Sequence, residues 1–478
     1  METKNWIGGE VVSVVEDRKV VYNPSNLTEE VGVVHCSNEN HVLQAETAAK
    51  QGFKVWSSLP SAVRGSYLSQ MADALQKNIE ELATLSSREM GKPIAEMKGE
   101  VLRAVNLLKY YAAEGVRSNG NVIPASDSDV LQYTKRVPLG VVGIITPWNF
   151  PVAIPIWKIA PALICGNTVI WKPAEIASLT ATKMMEIFST VQLPEGVLNL
   201  VIGKGSIVGK TLLEQVDIDA VSFTGSSNTG IQVASICAKR NIKYQTEMGG
   251  KNAAVVLNDA NIEKTVPIIL SGAYRSAGQK CTATSRIIVE SNVYENFVGQ
   301  MERAVSELVT GNALNASSYL GPVASKEQFD SVSAYINQAR TEAEIIGEGM
   351  SSIESEGFYI SPMLATGVDP KHTLVQEEVF GPLAVVLKAQ DFEDAMHLCN
   401  ETVYGLSASV FTNNLSKAHR FLDESDAGMV RVNQETAGVE YQAPFGGMKQ
   451  SSSHSREQGQ AALDFYTSIK TCAIKYSF

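Results

Sequence analysis

The sequence predicts an α/β protein of two lobes, each built on a mostly parallel sheet. Three observations predict it. From about residue 140, short β-branched runs alternate with helical patterns: "GVVGIIT", "NTVIWKP", "LNLVIG", "AVSFTG" and "AAVVL". A second alternating series begins near "SRIIVE" and continues to "LAVVLKA", "SASVFT" and "MVRVNQ". Such alternation marks βαβ units. Finally, 478 residues at roughly 150 per domain allow two to four domains with sizeable cores. The first lobe is expected to end near residue 249.

Taken in order, the first hundred residues read mainly as helices. "NHVLQAETAAKQGFKVWSSL" and "AVRGSYLSQMADALQKNIEELATLSSREMG" carry apolar residues at i, i+3, i+4 spacing, and a glycine closes the second. Next comes "VPLGVVGIITPWNFPVAIPIW", residues 137–157, long enough to cross a bilayer. Four prolines (138, 147, 151 and 155) interrupt it and would leave backbone groups unsatisfied in lipid. A buried strand, a turn and a helix fit better, so no membrane span is expected. "DVLQYTKRVP" and "FYTSIKTCAIKY" alternate polar and apolar residues as strands outside both lobes, either a surface hairpin or an arm that pairs with another subunit.

Charge and cysteine usage exclude several classes. With 40 basic against 51 acidic residues, nucleic acid and anionic membrane surfaces are poor partners. The opening "METKNWIGGEVVSV" has no basic region followed by an apolar one, as a secretory signal requires. The six cysteines are scattered, without CxxC or metal-type spacing, which points to free thiols in a reducing, cytoplasmic compartment and to no metal site.

Two glycine loops follow strands. "LNLVIGKGSIVGKTLLE" could present backbone N–H groups to phosphate, yet it misses a Walker A loop at Lys204 and gives GxGxxxG rather than GxGxxG. "AVSFTGSSNTG" repeats the arrangement twenty residues on, with Gly225 and Ser226 at its turn. Two successive loops point to a nucleotide.

The candidate chemistry rests on a thiol. A cysteine nucleophile needs its thiolate, donors for the oxyanion formed on attack, and a base to activate water. Cys281, Asn149 and Glu247 are the right residue types, and no motif places a histidine as base. Each taken singly also has an ordinary reading: core thiol, turn asparagine, surface carboxylate.

Together, "TPWNFP", "WKPAE", "FTGSSNTG", "EMGGKN", "GQKCTATSR", "EEVFGP" and "PFGG" resemble the aldehyde dehydrogenase superfamily in order and spacing over essentially the whole chain. The resemblance implies a Rossmann-like NAD(P)-binding domain (1–117 and 138–249), an α/β catalytic domain (250–446) and a small β oligomerisation element (118–137 and 460–478). A homodimer or homotetramer is implied with it. It implies Cys281 as nucleophile, Asn149 and the Cys281 N–H as oxyanion donors, Glu247 as general base, and Lys172 among the catalytic and cofactor-binding positions. Trp148, Glu175, Gly205, Gly225, Ser226, Gly249, Glu378 and Phe380 match cofactor contacts. Phe150, Ala153, Ile154, Trp157, Lys280, Thr282, Val439 and Phe445 match the substrate pocket. Glu247 favours hydrolysis of the thioester over acylation of CoA. Glu175 favours NAD, since a carboxylate on the ribose hydroxyls would repel a 2′-phosphate, with NADP as the alternative.

Two departures from the commonest family pattern narrow the substrate. Ser276 stands where asparagine is frequent, and "KQSSSHSREQG" replaces K-x-S-G-x-G-R-E with one residue more. Both are similar to the α-ketoglutaric semialdehyde dehydrogenase branch. Succinate semialdehyde and other short-chain aldehydes are the alternatives, and a non-catalytic nucleotide-binding relative is the alternative of another class. Lys280 and the small Ala153 would suit a short acidic substrate, although no arginine in the matched positions offers a bidentate contact.

Overall fold

A computed structural model describes residues 1–14, 17–117, 119–351 and 356–477. Ser118 and Phe478, the outer limits of the expected arm, lie outside the described residues.

Parallel strands buried on both faces read as continuous apolar runs, and such runs build two seven-stranded sheets. In the first, Lys243–Glu247, Ala220–Thr224, Val141–Ile145, Thr168–Lys172 and Leu198–Leu200 lie side by side in parallel. Asn5–Ile7 and Glu10–Val12 then extend it antiparallel. The second sheet runs Glu344–Glu348, Met363–Thr366, Leu383–Ala389, Thr284–Glu290, Asn252–Val256, Ser407–Phe411 and Met429–Val432. Its first pair is antiparallel and the rest parallel. Each sheet sits in its own apolar core.

The N-terminal region departs from the helical expectation. Four strands precede the helices, among them Arg18–Asn23 and Asn26–His35, which pair as a hairpin. Three-residue strands are too short to show a period, and the hairpin is only partly buried, so neither leaves a strong apolar pattern. The single helix expected to close at Gly91 is two, Ser61–Lys77 and Ile79–Met90. Asn78 separates them, its side-chain amide donating to the Ala74 carbonyl at 2.8 Å in place of a helical continuation.

The long apolar run resolves into the strand Val141–Ile145 and the helix Ala153–Ile164, whose residues are all buried. Pro155 falls in the first turn, where no backbone donor is lost. Among the described residues, no helix is long and apolar enough to cross a membrane. Val130–Pro138 and Thr467–Lys475 pair antiparallel over nine positions, with Val122–Ile123 on the far side, as a separate three-stranded sheet.

One relation between the two large sheets fixes the site. The strands ending at Ile145, Thr224 and Glu247 deliver their carboxyl ends to a junction. Thr284–Glu290 and Leu383–Ala389 are entered there from their amino ends, just after Cys281 and Phe380. The loops of both sheets therefore meet at one place.

Candidate active site

The turn that carries Cys281 is held in an unusual conformation. After the helix Ile262–Tyr274, Ser276, Ala277 and Gly278 have φ of 56°, 53° and 69°. At Gly278 a Cβ would lie 2.1 Å from the Gly381 carbonyl oxygen, so only glycine fits. Ser276 is held by Glu96, which accepts its N–H at 3.1 Å and its hydroxyl at 2.6 Å. Gln279 accepts the Ala324 N–H at 3.0 Å. The Cys281 carbonyl accepts from Asn252 Nδ2 at 2.7 Å.

Asn149 is aimed at this turn. Its Nδ2 donates to the Gln279 carbonyl at 3.0 Å, two residues before Cys281. Its own carbonyl accepts from Lys92 Nζ at 2.5 Å. Lys92 pairs with Glu100 at 2.5 Å, both side chains 2% exposed, and lies 3.7 Å over the Phe150 ring. Glu100 in turn accepts the Val152 and Ala153 N–H groups at the start of the helix behind. Lys92, Glu96 and Glu100 were not singled out in the sequence; Lys92 sits between two N-terminal helices and Glu96 and Glu100 in the second of them, Ile94–Glu114, with no local motif to mark them.

Glu247 ends its strand 2% exposed. Its Oε2 accepts the Ser452 hydroxyl at 2.5 Å, while Oε1 is buried and, among the described residues, has no hydrogen-bond partner. Burial and the nearby Glu457 raise its carboxyl well above the usual range, against smaller opposing effects of Ser452, Lys158 and Arg456. Glu457 is itself paired with the fully buried Lys158, and Gln245 and Ser222 complete the cluster. Lys158 and Glu457, too, were missed: 299 residues separate them, and only the fold brings them together.

A cavity of about 270 Å³ opens beside the thiol, lined by Trp148, Asn149, Gly225, Ser226, Gly249, Cys281, Glu378 and Phe380. Sequence reasoning had nominated all eight. Trp148 and Phe380 meet edge to face at 5.6 Å, with Phe380 at a φ of 56°. Glu378 accepts the Gly250 N–H at 3.0 Å, and a Cβ on Gly249 would fall 2.2 Å from the Glu378 carboxylate. Burial raises the Glu378 carboxyl to about 7, with the Gly250 N–H and Lys251 opposing. The Cys281 thiol is pushed up by burial first and by Glu378 and Glu247 next; its own N–H and that of Thr282 pull it down.

These residues fit a dinucleotide. Thr224 lines the cavity, and its buried Oγ1 has no hydrogen-bond partner among the described residues. The helix Ser227–Lys239, capped by Ser226, opens its N-terminus toward it. Lys172 and Glu175 lie apart from the thiol. Lys172 is buried, its Nζ donating to the Pro173 carbonyl at 2.9 Å and its stem 3.7 Å from where a Gly209 Cβ would be. Burial lowers its ammonium to about 8, with Glu175 opposing. Gly205 starts the adjoining turn, Gly205–Gly209, so these three positions form a second polar patch. The helix after that turn has only five residues, and Lys204 is ion-paired with Asp17 at 2.6 Å, so neither has the form of a Walker A loop.

Of the expected substrate positions, Ile154 lines the cavity beside the thiol with the cofactor-type residues, and the others lie outside that lining. Phe445 and the partly buried Val439 pack in one apolar cluster with Cys281, and Trp157 stacks on Phe445 at 5.2 Å. Thr282 is buried, its carbonyl accepting from Thr436. Lys280 donates to the Ser271 carbonyl at 3.4 Å, within the wall, and does not line the cavity beside the thiol.

Comparison with known proteins agrees with this arrangement. The model of the aldehyde dehydrogenase family matches residues 12–472. The α-ketoglutaric semialdehyde dehydrogenase of Bacillus subtilis is 47% identical over 98% of both chains. The 2,5-dioxopentanoate dehydrogenase of Saccharolobus solfataricus is 36% identical over 94% of both. A solved betaine aldehyde dehydrogenase from Staphylococcus aureus, in complex with NAD+, superimposes with a TM-score of 0.95 at 32% identity, covering 99% of this chain and 95% of that one. With seven motifs, the two-sheet junction and the family match in agreement, the chain belongs to the aldehyde dehydrogenase family.

Proposed function

We propose that the protein oxidises a short semialdehyde to its carboxylic acid with a nicotinamide dinucleotide, and that α-ketoglutarate semialdehyde is its substrate. Succinate semialdehyde and other short aldehydes are the alternatives. The observation that carries the chemistry is the convergence of Cys281, Asn149 and the cofactor-type residues on one cavity, with the buried Glu247 near enough to raise the Cys281 thiol. The substrate reading is supported by the relatives of Bacillus subtilis and Saccharolobus solfataricus.

In this reading Cys281 loses its proton to solvent and, as the thiolate, adds through sulfur to the aldehyde carbon. The Asn149 amide and the Cys281 N–H hold the resulting oxyanion, and loss of one such donor typically costs ~10²–10³ in rate. The bound dinucleotide supplies the two-electron acceptor. Trp148, Gly225, Ser226, Gly249, Glu378 and Phe380 hold its reactive half, and Lys172, Glu175 and Gly205 its adenosine half. Glu175 favours NAD over NADP. Glu247 takes a proton from water, which attacks the thioester on Cys281 and releases the acid. A carboxyl raised by burial is a stronger base than an exposed one, which suits that task.

The six cysteines, all free, fit a reducing, cytoplasmic compartment. The three-stranded sheet leaves Ile469 and Ile474 exposed, which supports an oligomerisation arm in a homodimer or homotetramer. Nicotinamide absorbance followed with NAD or NADP against a panel of semialdehydes tests the function. Aldehyde-dependent reduction that vanishes in Cys281→Ala is expected; a silent wild type, or an undiminished variant, would refute it.

A further inference from the structure

A second cavity, of about 760 Å³, lies across the apolar wall from the dinucleotide-type cavity. Two of its lining residues tie it to the thiol. Val439 packs in the cluster that contains Cys281 and Phe445. Ser271 accepts from Lys280, the residue before the nucleophile. One cavity that fits a cofactor thus has Cys281 in its lining, and this one, which shares no lining residue with it, meets the cluster around Cys281 through Val439.

Its lining includes two arginines, Arg103 and Arg431. Both are half-buried, and among the described residues neither has a carboxylate within ion-pair distance. Arg103 donates Nη2 to Gln458 Oε1 at 3.0 Å. Arg431 donates Nη1 to the Glu435 and Ala437 carbonyls at 2.8 and 2.5 Å. Each guanidinium has five donors in a rigid fork, so most of that capacity is unused. Burial lowers both below the usual guanidinium range; Glu440 opposes this at Arg103 and Glu435 at Arg431, and Arg431 adds repulsion at Arg103. Glu435 and Glu440 line the same wall, but at longer range than an ion pair. With only these longer-range carboxylates to balance them, two guanidiniums held part-way out of water gain from an anion at hydrogen-bond distance.

We propose that Arg103 and Arg431 receive the distal carboxylate of the substrate, so that its aldehyde end is presented to Cys281. The inference rests on the aldehyde-oxidation reading and adds how the semialdehyde is recognised. A bidentate guanidinium–carboxylate contact selects a carboxylate by geometry as well as charge. Lys280, nominated from sequence as the cation for an acidic substrate, is committed to Ser271 inside the wall.

The test compares 2,5-dioxopentanoate with pentanal, an aldehyde of the same chain length that lacks the carboxylate and the 2-oxo group. The readout is the ratio of their kcat/KM values, which does not depend on how much enzyme is folded. Wild type should favour dioxopentanoate. In Arg103→Gln and Arg431→Gln that ratio should fall about ten- to hundredfold, the range for a lost charge-assisted hydrogen bond. The fall should come through KM, and Arg103→Lys should restore part of it. An unchanged ratio in both glutamine variants, or a wild type that favours pentanal, would overturn the proposal. A wild type inert toward both aldehydes would instead remove the oxidation reading, and this one with it.

Discussion

The hydroxyl of Ser452 meets two buried groups at once, donating to Glu247 Oε2 at 2.5 Å and accepting the Gly447 N–H at 2.6 Å. A hydrogen bond to a carboxylate favours its ionised form, the form a general base needs. Ser452→Ala should therefore raise the carboxyl further and move the acid limb of the pH–rate profile for thioester hydrolysis upward, by about one pH unit for about 1.4 kcal/mol. Ser452→Thr should return it. A profile that stays in place while activity falls would mean that Ser452 acts only on structure. The "SSSHS" stretch was visible in the sequence as a departure from the family pattern, but what it does was not. Ser452 and Glu247 are 205 residues apart, and the direction of a hydroxyl is set by tertiary packing. The same reason hid Arg103: one cation on a helix is ordinary until the fold places a second, unpaired one across a cavity.

At the scale of elements, the left-handed run Ser276–Gly278 sets where the nucleophile points. Gly278→Ala puts a side chain at positive φ and a Cβ 2.1 Å from the Gly381 carbonyl. Backbone strain of this kind costs about 1–3 kcal/mol before the collision is added. The variant should melt several degrees lower, and the Cys281 carboxamidomethylation rate should change as well. An unchanged melting curve would show that the turn is softer than its contacts indicate. Strands such as Thr168–Lys172 and Ala220–Thr224 were legible because both faces are buried and most positions are apolar. The half-buried hairpin Arg18–Asn23 and Asn26–His35 was not, because its polar positions dilute the pattern. The break at Asn78 was hidden for another reason: apolar spacing continues across it, and only a side-chain hydrogen bond ends the first helix.

Over the whole molecule, two sheets meet with opposite ends at one thiol, while a third sheet lies outside both. Ile469 and Ile474 on its outer strand are 66% and 47% exposed, a pattern that association would bury. Sedimentation velocity should find a dimer or tetramer for the wild type and a smaller species for Ile469→Glu/Ile474→Glu; identical profiles would place the interface elsewhere. The motifs themselves were legible because most of them lie at strand ends, where the loops that line the junction begin or finish. The central claim, that Cys281 carries the acyl group and Glu247 releases it, is tested most directly by intact-protein mass spectrometry of Glu247→Gln after mixing with NAD and 2,5-dioxopentanoate. One acyl adduct located on Cys281, formed with a single burst of reduced nicotinamide and little further turnover, is the predicted result. Continued turnover at the wild-type rate, or an adduct on any other residue, would contradict it.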